Sequence, residues 1–313
     1  YMDAVRVRFI RERLSEFVEL CQGRLDFVNG IDKSTKDEVF DIQGKIKASY
    51  LEKFHFDIHP QLNTEYIGIL VDSALPAAKG HPLMDLRVRQ ALNYAIDRQA
   101  LVDYVLSGNG VPATAGMVPP GMPGFDARAV QGYGYDPDRA SSLLQAAGYP
   151  GGRGIPVISL KSNPTHQEAM EFVQKSWERI GLSVTMDNMD GSALRELAGK
   201  GEINLWRAGW IADYPDGENY LGLFTTGQIP PNGPNRMRFS SSAYDSLFAA
   251  ARAEPRDSLR FLMYQEMDRQ MLAQAPVVLL YYDKIVRIVS PKVHGFSTNA
   301  INMLHLKRTR KSP

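Results

Sequence analysis

The sequence predicts an α/β fold built around a parallel sheet, and three observations carry that prediction. Between Asp136 and Trp210, helical and strand-like stretches alternate within few residues, which requires crossover connections. Acidic or Asn-Pro starts and Gly stops punctuate these stretches at helix length. The chain has 313 residues, 44% of them hydrophobic, with 36 Lys+Arg against 35 Asp+Glu. Such a chain buries enough surface to offset its ordering entropy and supports roughly two domains.

In chain order, the alternating run AVRVRFI at residues 4–10 reads as a strand, and the helical stretch RLSEFVELCQG stops at Gly23. The segment up to Gly80 reads as part of a sheet domain. Its last strand candidate is EYIGILVDS, residues 65–73, and the breaker-rich LPAAKGHP after it marks a boundary. Beyond it, Val88, Ala91, Leu92, Ala95 and Ile96 recur at helical spacing, so Asp85 is expected to cap one helix and Asp97 a second that ends at Gly108. The Pro/Gly-rich residues 111–135 have no period and are too long for a simple connector. They are expected to wrap a surface or contribute to a site.

Asp136 and Pro137 then open a helix that ends at Gly148, followed by the strand IPVISLKS. Asn163-Pro164 opens a helix carrying Met170, Val173 and Trp177, Gly181 stops it, and LSVTMD is the next strand. A short helix at 192–198 leads into the strand INLWRAGW, and helices return at 244–252 and 257–272. After Pro276, VVLLYY and IVRIVS read as two strands hinged at Asp283-Lys284, and the tail from Lys292 returns to the first sheet. Residues 85–275 would then form a domain inserted between two pieces of another.

Composition excludes several function classes. Near-balanced charge and a pI of 8.0 give no broad positive field, and the one basic cluster is the tail Lys307 to Lys311, so no nucleic-acid partner is expected. The longest apolar run, residues 275–282, is far short of the ~20 needed to cross a bilayer. A lone Cys21 forbids an intramolecular disulfide and a Cys-based zinc site, and its helical pattern reads as a buried structural thiol. No nucleophile elbow and no phosphate-cradling loop occurs, and GNGVPATAG lacks a preceding strand. His55 and His59 would need a helix to share a metal, which Pro60 opposes, and DYPDGEN lacks the oxygen spacing of a calcium loop. Neither a metal nor another cofactor is expected. The basic, amphipathic N-terminus without an apolar core reads as a chain whose leader was removed, or one that begins inside a larger protein.

One segment stands out: RAGWIADYPDGENYLGLF, residues 207–224, where a strand carrying Trp206 and Trp210 runs into an acidic, Pro-containing turn. Open α/β sheets place ligands at such strand ends. The plainer reading has both tryptophans in the core and Asp213 as a turn or cap residue.

This segment and three others, in order, resemble the large solute-binding proteins of ATP-binding cassette importers for oligopeptides and dipeptides. The others are YMDAVRVRFIRERLSEFVELCQGRLDFV, then HPLMDLRVRQALNYAIDRQALVDYVLSGNGVPATAGMVPPGMPGF, and finally APVVLLYYDKIVRIVSPKVHGF, with NRMRFSSSAYDSLF between the last two. The resemblance implies a two-lobed periplasmic-binding-protein fold with lobe II complete and lobe I partial. Residues 1–80 would be partial lobe I, 81–281 lobe II, and 282–313 the return to lobe I. It implies capture of a peptide in an interlobe cleft, without chemistry, for delivery to the membrane permease of the importer. A monomer is expected, periplasmic or otherwise extracytoplasmic, and anchored to the membrane through an N-terminal leader absent from this sequence. The same architecture serves nickel complexes, oligosaccharides and other small solutes, which is the alternative.

For the site, the resemblance implies that Asp213 accepts the α-ammonium of the peptide, while the backbone of Gly209 and Ile211 pairs with the peptide main chain. Trp210 would supply an apolar wall, with Tyr214 in the same contacting turn. Arg207 meets either the ligand carboxylate or a neighbouring acid. Arg236 and Arg238 are candidates for the same role, or else solvated or helix-end cations. An enzyme using Asp213 and Asp216 as paired carboxylates lacks any marked nucleophile, so no enzymatic activity is expected.

Overall fold

The computed structural model describes residues 3–10, 12–30, 35, 38–41, 45–299 and 303–312. The chain divides into two compact units. One comprises Tyr1–Gln61, Val102–Val111 and Asp283–Pro313, and the other Leu62–Leu101 and Pro112–Tyr282. The first division falls inside the strand His55–Ile69 and not in the breaker-rich stretch near Gly80. The reason is pairing: residues 63–69 are already committed to the sheet of the larger unit before the breakers arrive.

In the larger unit, three parallel strands form the part the alternation predicts. Ile158–Ser162 pairs with Val184–Asn188 on one side and with the start of Leu205–Ile211 on the other. The sheet is mixed, because residues 63–69 run antiparallel to Leu205–Ile211, with Glu65 opposite Gly209 and Ile67 opposite Arg207. The predicted caps are in place. Asp85 accepts from Arg87 N at 2.8 Å, Asp97 from Ala100 N at 2.9 Å and Asp136 from Arg139 N at 2.9 Å, and Asp190, a cap not anticipated, accepts from Ser192 N at 2.8 Å. Gly201, at φ +73, closes the helix Gly191–Lys200 in the left-handed conformation that favours glycine.

Helix Leu86–Tyr94 buries Val88, Ala91 and Leu92, and helix Gln167–Glu178 buries Met170, Val173 and Trp177, whose indole donates to Leu92 O at 3.0 Å. Arg98 is buried and clamps backbone carbonyls, donating to Leu279 O at 2.6 Å and Asn93 O at 3.0 Å. Residues 112–135 wrap this core as their composition suggests, burying Met117, Val118, Met122 and Val130. Asp268, on helix Asp257–Gln274, fastens that wrap by accepting from Met117 N at 2.8 Å and Val118 N at 3.4 Å. Burial pushes its carboxyl up to about 7.

In the smaller unit, helix Arg13–Cys21 and strand Phe27–Asn29 pack Phe17, Leu20 and Val28 with Val286 and Ile288. Strand Phe27–Asn29 pairs antiparallel with Arg287–Val289.

Four expectations are corrected here. Residues 4–10 pair with no strand among the described residues, and Val5, Val7 and Phe9 are exposed, since alternation specifies a face but not a ladder partner. Cys21 is exposed because Phe17 and Leu20 take the core face of its helix. Residues 277–289 form one continuous strand, in which Asp283 and Lys284 are merely its more exposed positions. Beyond it, the tail closes on itself, Val293–His294 pairing with Arg310–Lys311 and Ser297–Thr298 with Leu304–His305.

Candidate ligand-binding site

The strand Leu205–Ile211 has one edge that the protein leaves open. Its ladder with Ile158–Ser162 is limited to Leu160 opposite Leu205 and Lys161 opposite Trp206, so residues 207–211 have no strand neighbour on that side among the described residues. The opposite edge is paired throughout with residues 63–69. Ala212 N donates to Leu62 O at 2.9 Å and Leu70 N to Asn204 O at 3.0 Å, which makes the even-numbered residues of this strand the hydrogen-bonded ones. The odd-numbered residues face the other way: the parallel register gives Arg207 N–H to Lys161 O, and the C=O of Arg207 with the N–H and C=O groups of Gly209 and Ile211 point to the open part of the edge. Gly209 and Ile211 are the residues whose backbone the resemblance singled out, and an extended chain laid there finds donors and acceptors with no backbone partner among the described residues.

At the end of the edge the chain turns through Asp213 and Tyr214, both exposed. The turn is braced from below. Asp216 accepts from Tyr264 Oη at 2.7 Å and Glu218 N at 2.9 Å, and lies 3.5 Å from Arg260 Nη2. Gly217 lets the Tyr264 ring close in, for a Cβ there would stand 2.9 Å from Cδ2. Asp216 is thus occupied by structural partners and is not offered as a second carboxylate beside Asp213. Trp206 is core, as the plainer reading had it, but Trp210 is only half-buried and its Nε1 donates to Asn219 Oδ1 at 2.8 Å.

Of the two partners open to Arg207, the structure supplies the neighbouring acid. Glu65, on the adjacent strand one step along the diagonal, is buried and bonds Arg207 Nη2, while Asn63 Nδ2 donates to Glu65 Oε1 at 3.0 Å. Arg207 Nε is buried and finds no hydrogen-bond partner among the described residues. His166 stands close enough for the guanidinium to matter. Burial first, and Arg207 second, hold its imidazole down at about 4, so it is neutral at physiological pH. Arg238, at φ +56, donates to Gly199 O at 3.0 Å and serves as a cation at the end of helix Gly191–Lys200. Arg236 lies toward the buried Tyr66.

Sequence reasoning missed Glu65, His166 and Asn219. A lone acid in the apolar run EYIGILV was a usable signal for a buried partner, but the alignment of two distant strands that chooses Arg207 was not available. Among the described residues no group of three or more His, Cys, Asp or Glu is placed to hold a metal ion.

Comparison with known proteins gives one family. The model for "Bacterial extracellular solute-binding proteins, family 5 Middle" matches residues 1–232. The glutathione-binding protein GsiB of Salmonella paratyphi A is 34% identical over 223 residues, covering 69% of this chain and 43% of that protein. The dipeptide-binding protein of Escherichia coli K12 is 27% identical over 252 residues, covering 79% and 45%. The solved structure of the Helicobacter pylori periplasmic binding protein DppA with the peptide STSA matches with a TM-score of 0.76 at 22% identity, covering 96% of this chain and 56% of that one. The chain thus spans less than half the length of these two curated relatives.

Proposed function

Because the chain belongs to family 5 of the bacterial extracellular solute-binding proteins, we propose that it captures peptides by laying their first residues along the open edge of Leu205–Ile211 and hands them to the membrane permease of an ATP-binding cassette importer. The observation that carries this reading is the direction of the backbone groups of Gly209 and Ile211, with an exposed carboxylate, Asp213, two residues beyond. Main-chain pairing is indifferent to side-chain identity, and the carboxylate fixes the register by meeting the one charge every unmodified peptide carries at its start. The relatives' names, a dipeptide-binding and a glutathione-binding protein, support ligands of this kind. The family is extracytoplasmic, and no helix among the described residues is long and apolar enough to cross a membrane. The protein works as a monomer, performs no chemistry on its ligand, and is held at the membrane.

Arg207 is left out of direct ligand capture on this reading, since Glu65 already neutralises it. A glutathione ligand is a second reading, favoured by the relative of that name, and Asp213 would then meet the γ-glutamyl ammonium. Native mass spectrometry of the purified protein, followed by titration with dipeptides, tripeptides and glutathione, separates the two. Co-purified masses spread over several peptides are the expected result. A single mass matching glutathione selects the second reading, and a non-peptide solute in the site, with no response to any peptide, overturns both.

A further inference from the structure

Resting on the peptide reading above, we infer that Asn219 is a positioning residue that fixes the Asp213 carboxylate and the Trp210 indole as one unit and so sets the discrimination for a free amino terminus. Its side chain bonds Trp210 and Asp213 together, and it also hydrogen-bonds the Tyr214 side chain. Oδ1 accepts from Trp210 Nε1 at 2.8 Å and from Asp213 N at 3.3 Å, and Nδ2 reaches Asp213 Oδ2 at 3.4 Å. The indole and the backbone amide only donate, and a carboxylate only accepts, so the chemistry of the partners dictates which way the amide faces.

The choice of an amide has a consequence for binding. Asn219 offers one N–H to the Asp213 carboxylate and brings no charge. A Lys or Arg there would neutralise the anion before a ligand ammonium arrived, and an Asp would repel it. Asn219 Nδ2 meets only one oxygen of the Asp213 carboxylate, Oδ2, and the residue is exposed to solvent, so the rest of the carboxylate is the place where an ammonium is met. Asn219 itself is seated by its backbone N–H on Asp216 O at 3.1 Å, within the turn that Tyr264 braces. Trp210 and Asp213, on either side of Ile211 at the end of the open edge, are thereby held at a constant spacing.

The test measures calorimetric affinities of wild type, Asn219→Ala and Asn219→Asp for trialanine and N-acetyl-trialanine across pH. Wild type prefers the free amine. Asn219→Ala weakens trialanine by about tenfold, the scale of losing hydrogen bonds to a charged group, and leaves the acetylated form unchanged. Asn219→Asp keeps the acceptor for Trp210 and the Asp213 amide but sets a second carboxylate beside the first. The pH at which trialanine affinity falls on acidification therefore moves upward. If wild type discriminates but Asn219→Ala loses both peptides by one factor, or Asn219→Asp leaves the pH midpoint where it was, the positioning role is overturned and the peptide reading stands. If wild type takes both peptides alike, or neither, the reading fails and the inference with it.

Discussion

Glu65 lies across Gly209: a Cβ on residue 209 would stand 2.5 Å from Glu65 Oε1, so the absence of a side chain there is what allows the buried carboxylate to reach Arg207 from the neighbouring strand. The same glycine presents its N–H and C=O to the open edge of the strand. Fold stability and ligand access therefore meet at one residue.

A methyl group at position 209 must displace the Glu65 carboxylate, which is the far end of a flexible side chain. Gly209→Ala is expected to cost about 1–3 kcal/mol of stability, chiefly through the disturbed ion pair, and to weaken peptide binding. Gly68→Ala should be worse, because its Cβ would stand 2.6 Å from the rigid, buried indole of Trp206, which cannot swing aside. Urea unfolding of the two variants measures the order.

In the Glu65–Arg207 pair the carboxylate is buried and the guanidinium half-buried, so removing one partner strands the other charge largely out of water. Glu65→Leu and Arg207→Met are each expected to destabilise by about 3 kcal/mol, and the double variant by clearly less than their sum. A double-mutant cycle by chemical unfolding checks this, and strict additivity would show that the pair is not coupled.

Asp268 gives the stability a pH dependence with a definite sign. Burial raises its folded-state carboxyl to about 7 from the usual 3.8, so between those values the folded protein holds a proton that the unfolded chain releases. The stability this group contributes is fully present below about pH 4 and is lost as pH rises through about 7. Asp268→Asn, which cannot ionise, should lose less stability than wild type between pH 5 and pH 8. Paired unfolding curves at the two pH values make the comparison, and parallel behaviour would contradict it.

The parts of this protein legible in its sequence are those governed by local physics. Asp85, Asp97 and Asp136 sit at helix starts because a short acidic side chain satisfies the first free amides wherever it falls in the chain. The parallel strands around Ile158–Ser162 follow from alternation in a short span. What escaped depends on contacts between distant segments. The antiparallel pairing of the strand that ends at Ile69, the choice of Glu65 as partner to Arg207, and the seat of Arg238 on Gly199 are each set by register between elements far apart in sequence. Asp213, Trp210, Gly209 and Ile211 could be named together as a candidate site because they sit in the one run of chain that carries the resemblance. Asn219, six residues on, was in view, but its role depends on how the turn folds back.

The measurement that bears most directly on the central claim is calorimetric titration of wild type and Asp213→Asn with one tripeptide, free and N-acetylated. The account predicts that Asp213→Asn loses at least about 30-fold affinity for the free peptide, the lower end of what removing one partner of a charge pair costs, while the acetylated peptide binds both proteins equally weakly. Equal affinity of the two proteins for the free peptide would contradict it.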